Sequence, residues 1–258
     1  MRLKPSLYIV LNFSLILFSF NIFADFIPEN IERYPTISTE KNIDLLVKYT
    51  RISNELSDLY QEQLDREKIE LTMIFQTDND KVNAYARRPS PQEWTVVFTG
   101  GLLRHPRLTP SVFATIYCHE LGHHLGGAPF KPFNKWASAE GQSDYFSTHD
   151  CLTKWIDQKK SKSNFSISAK DRKFVQKKCQ INFTLQTDIE RCTEVSLMAQ
   201  DAIWFLQKMN TDRRSRREPK VNILKRAKGK VSSTVTKHPK SQCRLDTMFE
   251  GCLIYTSD

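Results

Sequence analysis

Apolar residues return at Ile43, Val47, Ile52, Leu56, Leu59 and Leu64, close to the 3.6-residue period of an amphipathic helix. The spacing predicts one helix from Ser38 to about Glu67, with Ser38 or Thr39 and the nearby Glu40 marking its start. Three runs rich in β-branched and aromatic residues then read as strands: Glu70 to Gln76, Val82 to Arg87, and Glu93 to Thr99. Pro89 and Pro91 separate the last two, and Gly100-Gly101 closes the third. Thr109-Pro110 opens a helix whose apolar positions are Val112, Ile116, Leu121 and Leu125, and Gly126-Gly127 ends it. A second helix is predicted from Ser138 to Asp157, then a polar connector from Lys159 to Ser168. Helices follow at about 170–180 and 188–209, with a short one near 241–250. The pattern predicts a helix-rich α+β domain over 25–258 with a small early sheet.

The first 24 residues stand apart. A basic start (Arg2, Lys4), an apolar run from Leu7 to Phe20 and a small residue, Ala24, before Asp25 form the pattern of a cleaved export signal. The competing reading is an uncleaved anchor, since Leu7 to Phe26 approaches the minimum membrane span. Asn12 and Ser14 interrupt the run, and Ala24 suits the peptidase, which favours cleavage. No later segment approaches membrane-spanning length. The expected mature protein is soluble and periplasmic or extracellular.

Export changes how cysteine and charge are read. Six cysteines lie after the signal, none in a Cys-x-x-Cys pair, so disulfides are expected rather than a cysteine metal site. Nearest-neighbour pairing would join Cys118 to Cys151, Cys179 to Cys192, and Cys243 to Cys252. The alternative for Cys118 is a small buried residue in an apolar helix. The formal charge is +9, but residues 213–230 alone carry nine basic residues and one acidic. Nucleic acid is the usual partner of such a run, and export argues against it. A solvated, mobile segment, or one that meets an anionic surface such as lipid headgroups, remains.

The chemistry concentrates in His119-Glu120-Leu121-Gly122-His123, inside the predicted 109–125 helix. Two imidazoles four residues apart share one helix face and can grip a single metal ion. Zinc held this way makes water ionise near neutral pH, and Glu120 beside it can accept the proton. His124 points about 100° away from His123 and is left out of the ligand set. A catalytic zinc needs a third protein ligand. The metzincin pattern requires His at position 129, where this chain has Pro129. Glu140 is the best third ligand. Asp144, four residues on and on the same helix face, can accept the spare ring N–H of a ligating histidine. His149 and Asp150 are fallback ligands; His105 lies too far upstream to be favoured.

In four stretches the chain resembles the gluzincin metallopeptidases of the HtpX and CaaX-prenyl-protease type, in an exported form without membrane spans. These are Asn83-Ala84-Tyr85-Ala86 with the following strand and Gly101-Leu102-Leu103; the His119–His123 helix; Glu140 to Asp144; and His238-Pro239 with Arg244 and Met248. The resemblance spans about 70–250 and implies a zincin-like fold with the zinc site between two helices. It implies that Asn83, Ala84 and Tyr85 border the cleft, where exposed backbone pairs with an extended substrate. It further implies that His238 hydrogen-bonds the oxyanion opposite Glu120, and that Arg244 braces that segment or the zinc shell. The chain departs from the family in the short interval from His123 to Glu140, in Cys118, and in lacking later hydrophobic spans, which argues against prenylated membrane substrates.

The leading expectation is therefore an exported zinc endopeptidase acting on unfolded or extended polypeptides. Its alternative is a zinc-stabilised, non-hydrolytic holdase that binds unfolded clients through an accessible edge strand and the basic segment. A third reading is a latent enzyme whose basic stretch covers the cleft until cut.

Overall fold

The computed structural model describes residues 24–27, 30–36, 38–159, 168–209, 218–228, 235 and 238–254. Apart from Ala24, the expected export signal lies outside them, as does most of the 159–168 connector. The elements in chain order are β1 (Ala24–Asp25), α1 (Thr39–Asp58), α2 (Gln61–Glu67), β2 (Glu70–Gln76), β3 (Ala84–Arg87), β4 (Glu93–Thr99), α3 (Gly100–Leu103) and α4 (Pro110–Leu125). They continue with β5 (Phe130–Lys131), β6 (Asn134–Ser138), α5 (Glu140–Phe146), a π-helical turn (Ser147–Cys151), α6 (Leu152–Lys159), α7 (Ala169–Asn182), α8 (Gln186–Met209) and α9 (Ser241–Leu253). The chain is helix-rich with a small sheet. Among the described residues, no helix is long and apolar enough to cross a membrane.

The sheet runs in the order β1-β3-β4-β2. β2 pairs parallel with β4, from Glu70 opposite Glu93 to Gln76 opposite Thr99. β3 pairs antiparallel with β4, and β1 antiparallel with β3. β4 is central and buried from Trp94 to Thr99, which explains its continuous apolar run. α4 packs against α1, α5, α8 and β6. Enclosed on every side, it has no solvent face and is buried from Ser111 through His124. Its start follows from the sequence: Thr109 Oγ1 accepts the Val112 N–H at 3.2 Å, and Pro110 occupies the first turn.

Several boundaries differ from the sequence pattern. The predicted 38–67 helix is two helices, because Tyr60 leaves helical geometry to bury its ring and donate its hydroxyl to Asp150. The predicted helix from Ser138 to Asp157 starts only at Glu140 and passes through the π-helical turn before α6. The segment between α4 and α5 folds as the β5–β6 hairpin.

Two of the expected disulfides form, Cys118–Cys151 and Cys179–Cys192. Cys118 is therefore a cross-link from α4 to the turn after α5, not merely a small buried residue. The third expected pair is corrected: Cys243 and Cys252 are free thiols. Both lie on α9 nine residues apart, a rise of about 13.5 Å, roughly twice what a disulfide spans. Part of the basic segment, 218–228, falls within the described residues. There Val221 and Ile223 are buried and the Ile223 N–H donates to Gln200 Oε1 at 2.9 Å. Arg226 pairs with Glu250 and Lys220 lies over the Trp204 ring. Residues 213–217 and 229–230 lie outside the described residues.

Candidate metal centre

α4 carries His119, Glu120 and His123, all fully buried, and α5 supplies Glu140 and Asp144. Gly122 makes this approach feasible. A Cβ there would lie 3.0 Å from both Cα and O of Ser143, backbone atoms that cannot yield without moving α5. The ring atom His119 Nε2 sits 3.1 Å from His123 Nε2 and 3.3 Å from Glu140 Oε2, while His123 Nε2 is 3.7 Å from Glu140 Oε1. Ligands about 2.0–2.2 Å from a tetrahedral zinc stand roughly 3.3–3.5 Å from each other, so these separations fit one shared ion. Glu140 Oε2 is buried and accepts no hydrogen bond of acceptable geometry, which also fits an oxygen that ligates a cation. The three residues together form a buried group able to hold a metal ion.

The far side of each ring is tied down. His119 Nδ1–H donates to Asp144 Oδ1 at 2.8 Å. His123 Nδ1–H donates to the Ser138 carbonyl at 2.8 Å, with Ser143 Oγ equally close. Both arrangements leave Nε2 with a lone pair directed at the common centre. Arg244, on α9, closes the outer layer: its Nε and Nη2 donate to the two oxygens of Asp144 at 2.8 and 2.7 Å.

Charge in this dry environment is balanced. Burial pushes the His123 pKa well below the ordinary imidazole value, outweighing the opposing pull of Glu140. Burial disfavours ionising Glu140, but His123, His119 and His238 outweigh it and hold its carboxyl well below the usual range. Asp144 behaves the same way, with Arg244 and His119 overcoming its burial. In turn Asp144, and beyond it Glu140 and Glu120, raise the pKa of the buried Arg244.

Glu120 Oε1 accepts a 2.7 Å hydrogen bond from the Phe26 backbone N–H. His238 lies just before α9, a third exposed, with Nε2 3.6 Å from Glu140 Oε2; the structure thus brings it beside the carboxylate ligand. Of the expected edge at Asn83, Ala84 and Tyr85, Tyr85 is paired: Ala24 and Asp25 of β1 lie opposite Ala86 and Tyr85. Asn83 is turned inward on itself and β4: its N–H bonds Thr99 Oγ1, and its side chain accepts the Ala84 N–H.

The fallback ligands lie elsewhere. His149 stacks on Tyr145 and bonds the Gly251 carbonyl, and Asp150 is held by Tyr60 and Lys154. His105 pairs with Glu32, and His124 is sandwiched between the rings of Trp94 and Trp136. Burial, then Arg88, lowers the His124 pKa to about 3, so this ring stays neutral without a ligand role.

Two participants were not readable from the sequence. Lys131, on the β5–β6 hairpin, places Nζ 2.6 Å from Glu140 Oε1 and pairs with its charge. Phe26 enters from the opposite end of the chain. Neither belongs to a recurrent spacing, and both arrive through long-range folding. No family model, no curated protein and no solved structure matches this chain.

Proposed function

We propose that this chain is an exported zinc-dependent endopeptidase of the gluzincin type, with a zincin-like fold and HtpX-like affinity, that hydrolyses extended polypeptides. One observation carries the reading: three buried donors from α4 and α5 converge at the spacing of a single ion, and the carboxylate beside them binds a backbone N–H. His119, His123 and Glu140 would hold the metal, whose chemistry there is Lewis-acid polarisation of a peptide carbonyl and activation of water.

The chain's own groups supply the rest. Asp144 and Ser138 fix the imidazole tautomers, and Arg244 keeps Asp144 ionised. Glu120 takes a proton from the attacking water and delivers it to the amide nitrogen as the C–N bond breaks. Its grip on the Phe26 N–H supports that role, since it already meets a peptide nitrogen. His238, beside Glu140, is a donor for the developing oxyanion. The two disulfides are consistent with export. The holdase alternative rests on an open sheet edge and the basic segment; at that edge β1 already pairs with Tyr85 and Ala86.

The test is purified Glu120→Gln protein with casein as substrate. The variant is expected to retain stoichiometric zinc and lose hydrolysis by at least a thousandfold. Undiminished cleavage would reject the mechanism.

A further inference from the structure

Residues 24–27 lie against the candidate centre, Ala24 and Asp25 as a short strand and Phe26 and Ile27 in a bend. Ala24 and Asp25 extend the sheet antiparallel to β3, opposite Ala86 and Tyr85, which is how an added strand docks on a sheet edge. At the next residue the chain meets the chemistry. The Phe26 N–H donates to Glu120 Oε1 at 2.7 Å, and the Phe26 carbonyl accepts from Arg244 Nη1 at 2.9 Å. The Phe26 side chain is wholly buried, its ring centroid 4.5 Å from that of His119 and 4.4 Å from the Arg244 guanidinium carbon above it. Ile27 follows into the same core.

These contacts fix a register. In hydrolysis, oxygen from water bonds to the carbonyl carbon, the C–N bond breaks, and the water's proton passes through the carboxylate to the departing nitrogen. The nitrogen facing Glu120 therefore marks the amine side of the bond to be cut, here that of Phe26. We propose that residues 25–27, the N-terminus expected after export, occupy the candidate centre through the Phe26 enclosure in competition with an extended peptide substrate. Calling the competing peptide a substrate rests on the peptidase reading. The competition itself does not, and the two are separable by experiment.

The probe is a fluorescein-labelled peptide with the sequence of residues 22–30, read by anisotropy against zinc-loaded Glu120→Gln protein, in which the amide oxygen can still accept the Phe26 bond. Adding Phe26→Ala to that protein is expected to tighten peptide binding at least tenfold. The same peptide with Asp in place of the residue matching Phe26 is expected to bind at least tenfold more weakly. Equal binding to both proteins, or equal binding of both peptides, would overturn the proposal. Truncating Phe26 opens a cavity in the core, so a second measurement keeps Phe26 in place. Hydrogen exchange at the Phe26 amide is expected to be slow in the free Glu120→Gln protein and to accelerate at saturating peptide; no acceleration would overturn the proposal. Competition in both assays without casein cleavage by the wild type would keep the self-occupied pocket and reject the peptidase. Cleavage without competition would do the reverse.

Discussion

Asp144→Asn probes the layer behind the metal ligands. The Asp144 carboxylate is fully buried and answers three N–H groups, one from His119 and two from Arg244. Asparagine keeps the shape but removes the charge and turns an amide N–H₂ toward a guanidinium or an imidazole N–H. An uncompensated buried Arg244 is left behind, a loss that costs about 3–5 kcal/mol when one partner of a buried pair is removed. His119 also loses the acceptor that fixes its tautomer, which lowers metal affinity by about 10–100-fold in comparable sites. Urea unfolding of the metal-free protein reads the first effect, and zinc competition against a chelator reads the second. The double variant Asp144→Asn with Arg244→Met separates them. Removing the stranded charge should recover about 2 kcal/mol or more of stability, while zinc binding stays weak. If Asp144→Asn costs under 1 kcal/mol and binds zinc like the wild type, the tautomer-fixing argument is wrong.

Two further outcomes follow from the packing. Replacing Cys118 and Cys151 with serine frees a 33-residue separation that contains Glu140 and should lower unfolding stability by about 3–4 kcal/mol in urea titrations. Tyr49 is buried with its hydroxyl on the Leu108 carbonyl, and burial raises its pKa to about 12. The unfolded chain therefore releases this proton first, near pH 10, so stability falls as pH rises from about 10 to 12, by about 2–3 kcal/mol from this residue. Tyr49→Phe should flatten that part of the pH–stability curve; an unchanged slope would assign the alkaline loss to other groups.

Local signals account for what the sequence made legible. β2 and β4 follow runs of β-branched and aromatic residues and match their predicted limits, and α4 follows its Thr-Pro start and Gly-Gly end. The His119, His123 and Glu140 group was readable because helical periodicity alone places two imidazoles on one face. What escaped depends on distant partners. β1 is two residues long and exists only because β3, about 60 residues later, pairs with it. Lys131 reaches Glu140 through a hairpin with no strong turn signature. The break at Tyr60 and the π-helical turn answer to packing between α1, α4 and the 147–151 segment, which periodicity does not encode. The Cys243–Cys252 expectation was avoidable, since the helix predicted there already separates them.

Zinc content of Glu140→Ala beside the wild type tests the central claim most directly, because Glu140 is the residue that α5 adds to the two imidazoles in the proposed ligand set. The wild type should hold one zinc per chain after dialysis against a weak chelator, and Glu140→Ala, folded by circular dichroism, should hold almost none. A folded Glu140→Ala protein that keeps one tightly bound zinc would contradict the proposed three-residue site.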